Sequence, residues 1–311
     1  MDLITTNIVG YLQSVMRMAT PIILASLGGM FTARVGIINF ALEGIMIMGA
    51  FMGAYGSYLT GSPWFGLLLG MLGGLLMSLI LGFTAITAKV NQVVASTGIN
   101  IFGIGMTSYL LNVVYGIGAK PSTVESFSTV PIPVLSEIPF LGPMLFDQTV
   151  LTYLTFLLVP ICWYVVYKTP FGLSIRAVGD HPAAADSVGI SVPKTRYLAT
   201  MLSGILGGMG GAFLSIGTLS IFMEKLTSGR GYLAWATITV GKWNPFGIFG
   251  ASLFFGAADA LQMRLQALSV NFPYQFLLMI PYLMTMLALV GLIGKTEGPH
   301  SMGKPYVKGD K

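Results

Sequence analysis

The sequence predicts an all-α, polytopic membrane bundle of about nine crossings, some of them short or broken helices. Three observations predict it. Of the 311 residues, 54% are hydrophobic and only 9% are charged, whereas a soluble domain needs about 25% charged residues to cover its surface. Apolar runs of about 20 residues, the length of a spanning helix, recur along the chain. The Lys and Arg residues alternate in density between successive connecting segments, as cytoplasmic and external loops do. The 40 glycines fit the same class, because small residues let membrane helices approach closely.

In chain order, spans are expected near 17–33, 36–59, 64–87, 93–115, 149–168, 196–219, 246–263 and 273–293. A shorter stretch, 231–241, lies between Gly229-Arg230-Gly231 and Gly241-Lys242-Trp243-Asn244-Pro245 and reads as a short or broken helix. The first 16 residues are half apolar and either lie at the interface or belong to an extra span. Residues 116–148 carry Pro121, Pro131, Pro133, Pro139 and Pro143, too many prolines for one continuous helix. With 169–195 and the 294–311 tail placed in the cytoplasm, 116–148 is external and eleven of the 16 Lys and Arg fall inside. Lys120, Lys225, Arg230 and Arg264 fall outside, and Arg17 is unassigned. This bias places the C-terminus inside and, with nine crossings, the N-terminus outside. The whole of 1–311 reads as one transmembrane domain. Met1-Asp2-Leu3-Ile4 lacks a basic n-region and a cleavage site, so no removable signal peptide is expected.

The composition excludes other classes. A charge of +5 reflects cytoplasmic loop residues rather than a nucleic-acid surface. Cys162 is the single cysteine, so no disulfide framework is possible. His181 and His300 lie in inner segments, leaving no metal site or histidine base within the membrane. No catalytic residues and no cofactor are expected.

Two sets of residues are functional candidates. In the inner loop, Asp180 can cap a helix, Pro182 fits its first turn and Gly189 can end it. The resulting helix has about two turns, shorter than an isolated helix sustains in water. Either it is a small-surfaced contact for a cytoplasmic partner, or it is an ordinary loop helix. The second set is polar and lies in the spans. On a helix running from Gly36, Glu43 stands about 10 Å from the inner end, with Asn39 one turn before it on the same face. Either Glu43 ties helices together, to Arg34 or to another chain, or it touches substrate. Asn100, Ser108 and Asn112 fall near one helical face and suit a polar pathway, or equally helix–helix hydrogen bonding. Arg17 and Asp259 pose the same question.

The run Gly172-Leu173-Ser174-Ile175-Arg176-Ala177-Val178-Gly179-Asp180-His181-Pro182-Ala183-Ala184-Ala185, followed by Gly189-Ile190, resembles the ATPase-coupling loop of the sugar and nucleoside branch of ABC importer permeases. Asn39-Phe40-Ala41-Leu42-Glu43-Gly44 resembles an early element of that family. Asn91-Gln92-Val93-Val94 with Ile99-Asn100 resembles the start of its central helix. Gly229-Arg230-Gly231-Tyr232-Leu233-Ala234 and Gly241-Lys242-Trp243-Asn244-Pro245 resemble its late element. The resemblance implies a permease subunit working by alternating access beside a second, identical or homologous, permease. Two ATPase subunits and an extracytoplasmic solute-binding protein or lipoprotein complete such a system. Arg176, Gly179, Asp180, Pro182, Ala183, Ala184 and Gly189 would then form the ATPase contact, with Arg176 anchoring the loop through its donors. The late element most resembles nucleoside permeases; ribose-type sugar and riboflavin permeases share much of the pattern. An ion-coupled secondary transporter, an intramembrane enzyme and a channel leave the coupling-like loop unexplained. The chain has no phosphate-binding loop of its own.

Overall fold

The computed structural model describes residues 3–116, 123–133, 135–138, 141–267, 274–291 and 298–308. Lys120, Pro121, Pro139 and Lys295, which figure in the expected topology, lie outside the described residues.

The chain opens with α1 (Leu3–Arg34), which runs unbroken through Pro21. The first residues therefore prolong the first span rather than forming an element of their own. It stops at Gly36, whose φ of +83° is a left-handed helix end that suits glycine. After a non-helical turn, α2 (Leu42–Thr60) begins. The expected start near 36 is thus displaced, because Asn39 Oδ1 accepts from Ala41 N at 3.1 Å and holds the backbone out of a helix. Glu43 accordingly lies in the first turn of α2 and does not share a helical face with Asn39.

Helix α3 (Pro63–Gly82) is extended by a π-helical turn, Phe83–Thr87. Asn91 caps α4 (Gln92–Tyr115) by accepting from Val93 N and Val94 N, as an Asn at this position should. The segment expected to be irregular holds no long helix among its described residues. It also contains β1 (Thr129–Pro131) paired antiparallel to β2 (Asp147–Thr149), with α5 (Leu141–Phe146) between them. Helix α6 (Val150–Lys168) follows, then α7 (Pro170–Asp180), α8 (Pro182–Ser187) and α9 (Val192–Ala212) with its π-helical extension Phe213–Leu219. The 11-residue α10 (Arg230–Val240) and then α11 (Pro245–Ala267) complete the main bundle. The expected last span divides into α12 (Tyr274–Leu278) and α13 (Ile280–Gly291), because Pro281 has no N–H to continue the ladder.

Among the described residues, six helical segments are long and apolar enough to cross a membrane: Ile8–Arg34, Pro63–Thr87, Gln92–Tyr115, Val150–Lys168, Val192–Leu219 and Pro245–Ala267. Helix α2 packs between α3, α4 and α9 and is buried along most of its length. Its contacts with α3 and α9 depend on absent side chains. A Cβ at Gly49 of α2 would meet the Gly208 backbone, and one at Gly208 would meet the carbonyl of Gly70 and the backbone of Gly74, so the three helices meet backbone to backbone.

The bundle has two chemically distinct ends. At one, the 123–133 segment is sewn to the ends of α2 and α9: Ser57 Oγ donates to Glu125 O (2.6 Å), Val124 N to Ser220 O (2.8 Å) and Phe127 N to Ile216 O (2.9 Å). Gln13, near the start of α1, reaches Asp147 there. At the other end lie Arg34, the 241–244 turn, α7, α8 and the 298–308 tail.

Candidate functional site

The three family-like elements, distant in sequence, meet at one place inside the bundle. Glu43 is 6% exposed. Its Oε1 accepts from Thr227 Oγ1 (2.5 Å) and Gly229 N (2.9 Å), and its Oε2 accepts from Gly231 N (2.7 Å). Gly229 is the N-cap of α10 and offers no side-chain oxygen. The Glu43 carboxylate supplies what the cap lacks, and its negative charge sits at the positive end of the α10 dipole. Gly231 cannot carry a side chain here, since a Cβ would collide with the backbone of Glu43. Glu43 therefore ties α2 to the start of α10, not to Arg34. Arg34 instead donates to Trp243 O from Nε (3.1 Å) and Nη2 (2.8 Å), and to the Tyr167 hydroxyl (2.7 Å).

At 11 residues, α10 is about 16 Å long, half the roughly 30 Å of hydrocarbon. Its far end, at the 241–244 turn, touches Arg34, so its start lies within the bundle. A half-helix whose N-terminus begins inside the membrane is a device transporters use near the bilayer midplane. Arg230, expected in an external loop, begins this half-helix, with Nε 3.3 Å from Oδ2 of Asp259 on α11. Both side chains are largely buried, so each charge offsets the cost of burying the other.

Asn100, 3% exposed, joins the same centre. Its Oδ1 accepts from Gly44 N (2.8 Å), and its Nδ2 donates to Phe40 O (2.9 Å) and to the Tyr232 hydroxyl (3.0 Å). Asn39 Nδ2 donates to Ser203 Oγ on α9 at 3.0 Å. The rings of Phe40 and Trp235 lie 5.0 Å apart, and Tyr232 is 50% exposed. The structure thus brings Asn39, Glu43 and Asn100 together. It separates Ser108 and Asn112, which lie further along α4. Asn112 is exposed and donates to Ser108 O within its own helix (3.0 Å). Eight residues of helix rotate Ser108 about 80° from Asn100, so a polar path through both turns around α4. Arg17 Nε, buried in α1, has no hydrogen-bond partner among the described residues.

Thr227, Ser203, Tyr232 and Gln92 also belong to this centre and were not distinguished in the sequence. Gln92 Oε1 accepts from Ile38 N (2.8 Å) in the turn before α2. Only Gln92 and Tyr232 stood inside recognisable motifs.

The second candidate is the inner loop. Residues 170–180, expected as loop, form α7, capped by Thr169 Oγ1 accepting from Gly172 N (3.2 Å). Asp180 is the last residue of α7 rather than the cap of α8; the N-cap position is His181, without a side-chain bond. Pro182 does occupy the first turn, and Gly189 ends the helix at φ +88°. Ala185 is buried, Ala183 and Ala184 are exposed, and Val188 is 76% exposed. Among the described residues Arg176 reaches no carbonyl or carboxylate; its guanidinium lies over the Tyr167 ring, 5.5 Å from the centroid, a cation–π contact. Among the described residues no group of three or more His, Cys, Asp or Glu comes together to hold a metal.

Known proteins share this chain's sequence at length. Residues 11–289 match the family model described as "branched-chain amino acid transport system / permease component". The guanosine ABC transporter permease protein NupQ of Bacillus subtilis is 40% identical over 94% of this chain and 95% of its own length. The nucleoside ABC transporter permease protein NupC of Lactococcus lactis is 35% identical over 97% of this chain and 99% of its own. TsgC13 of Haloferax volcanii, whose name gives glucose provisionally as the solute, is 33% identical over 84% and 79%. These matches and the six apolar helices place the chain in the branched-chain amino acid transport system permease family, as a multi-pass cell-membrane permease subunit of an ABC importer and not an enzyme.

Proposed function

We propose that this permease imports nucleosides, as one of two permease subunits above a pair of ATPase subunits, with a solute-binding protein or lipoprotein delivering substrate from outside. Permeases of this family work with ATPase and binding-protein partners in general. The nucleoside assignment rests on the centre at α10. Phe40, Trp235 and the half-exposed Tyr232 gather aromatic rings at the start of α10, the groups that stack a nucleobase, and the buried Asn100 amide holds the Tyr232 hydroxyl in place. Glu43 and Asn100 hold the start of the half-helix, Asn39 ties the turn before α2 to α9, and Ser108 and Asn112 extend the polar path along α4 toward the external end. The exposed face of α8, with Ala183, Ala184 and Val188, takes up the ATPase, held from behind by α7 through Arg176, Gly179 and Asp180 and bounded by Pro182 and Gly189. In this arrangement 116–148 is external, and both 169–195 and 294–311 are cytoplasmic.

The test is uptake by vesicles carrying the full complex. Nucleoside should accumulate only with ATP inside the vesicle-defined cytoplasmic compartment, and an excess of a second nucleoside should compete. Cysteines placed at Ser187 and Ser128 should label from opposite faces. Uptake competed by ribose but indifferent to nucleosides would discard the substrate. Accumulation by this chain alone under an ion gradient would discard the mechanism.

A further inference from the structure

The 298–308 segment crosses the coupling end of the bundle as a strap and touches α7, α8, α9 and the Gly36 turn. His300 stacks on His181 at the α7–α8 junction, with ring centroids 5.8 Å apart. Ser301 is 6% exposed. Its Oγ donates to Gly179 O (2.6 Å) and approaches Val178 O (3.3 Å), while its backbone N also donates to Gly179 O (3.0 Å). Two residues on, Gly303 N donates to Gly36 O (2.9 Å) in the turn before α2. Arg196 Nη1 on α9 donates to Lys304 O at 3.2 Å. Lys308 Nζ lies 3.4 Å from Oδ2 of Asp186 on α8, though in water such a pair holds little.

The fit at Ser301 is close. Gly36, at φ +83°, has no room for a Cβ because Ser301 Oγ occupies that space. Hydrogen bonds from a tail to carbonyls at the end of a helix are the ordinary way to satisfy that end. Here the same few residues also grip a second element, and that element leads directly to Asn39 and Glu43.

We infer that Ser301 is a positioning residue for transport: it locks the end of α7 to the Gly36 turn, so that displacement of α8 by the ATPase reaches the Glu43–α10 centre. This inference rests on the reading of α8 as the ATPase contact. The route is contiguous: α8, the α7 carbonyls of Val178 and Gly179, Ser301, Gly303, Gly36, then the turn carrying Asn39 and the first residues of α2. A chain of packed, hydrogen-bonded groups is the physical requirement for such transmission.

The experiment compares Ser301→Ala and Ser301→Cys with wild type in the complete complex, reading uptake and ATP hydrolysis per assembled complex. Alanine removes the Oγ bonds and keeps the backbone bond; cysteine keeps volume and a weak donor. The expected result is a fall in solute moved per ATP of about fivefold in Ser301→Ala, the shift that one net buried hydrogen bond supports, with Ser301→Cys between it and wild type. A merely structural role would lower the number of complexes and leave this ratio unchanged, and an unchanged ratio overturns the inference. Ala184→Trp, run in parallel, reads the α8 contact by itself. Wild-type assembly and uptake there overturn the reading beneath the inference, whereas lost uptake there with an unchanged ratio in Ser301→Ala overturns the strap alone.

Discussion

The Glu43 centre and the α8 helix solve opposite problems. At Glu43, a carboxylate, two backbone donors and a hydroxyl are buried together, and every oxygen has a partner within the chain. At α8, six residues form a helix of which only Ala185 is buried, too short to be stable alone. The first site is complete without a partner; the second presents small and apolar side chains that none of the described residues covers. A substitution in the first should therefore damage the permease itself, and one in the second should damage only what the permease does with its ATPase.

Glu43→Ala gives the largest expected effect. It leaves Thr227 Oγ1, Gly229 N and Gly231 N without their acceptor, and an orphaned buried donor costs roughly 1–3 kcal/mol. A loss of about 3 kcal/mol or more follows, read as a lower thermal midpoint in detergent and a smaller membrane yield. Glu43→Gln should fall between, because the amide oxygen can still accept from two donors while its NH2 opposes the third. A midpoint equal to wild type in Glu43→Ala would mean that α10 is anchored by its other contacts, with Arg230–Asp259 the first to examine.

Ala184→Trp tests the other half of the contrast. Its Cα lies on an exposed face, so the stability of the permease should change by no more than about 0.5 kcal/mol. If the face enters a cleft, the added volume should cost about 1–3 kcal/mol at that interface, and uptake should fall roughly tenfold or more, with ATPase assembly weakened. Normal assembly and uptake would move the contact to another inner surface, such as the 88–92 or 241–245 turn. A fall in the midpoint comparable to that of Glu43→Ala would erase the distinction between the two regions.

The same contrast explains what was legible in the sequence. Apolar length marked most of the spans, and Pro182 marked the first turn of α8; Pro63, Pro170 and Pro245 also stand at helix starts, where a missing N–H costs nothing. Motif order along the chain marked Asn39, Glu43, Asn100 and Gly229–Gly231 as separate elements. That they form one centre depends on contacts across 184 to 188 residues between Glu43 and the start of α10, which no local pattern encodes. The helical nature of 170–180 was masked because Gly172 and Gly179 read as loop residues, yet each is a place where a backbone passes too close for a Cβ. The tail was legible only as cytoplasmic charge; the bonds of Ser301 and Gly303 come from their backbone course.

Tyr232 offers the smallest effect and the finest division of the Glu43 centre into scaffold and binding surface. Its hydroxyl accepts from Asn100 Nδ2 at 3.0 Å, but that nitrogen also donates to Phe40 O at 2.9 Å. Half the Tyr232 side is open, so water can replace the phenol. Tyr232→Phe should then cost less than about 1 kcal/mol and leave nucleoside half-saturation within about twofold of wild type. Tyr232→Ala removes the ring as well. If the ring stacks a base, the lost stacking of about 1–3 kcal/mol should raise nucleoside half-saturation roughly tenfold, with the thermal midpoint near that of Tyr232→Phe. Uptake titrations with the two variants separate these contributions. Equal half-saturation in Tyr232→Ala and wild type would mean that the open edge of this centre is scaffold only. The base would then have to be held elsewhere along α4, on the side that carries Ser108 and Asn112.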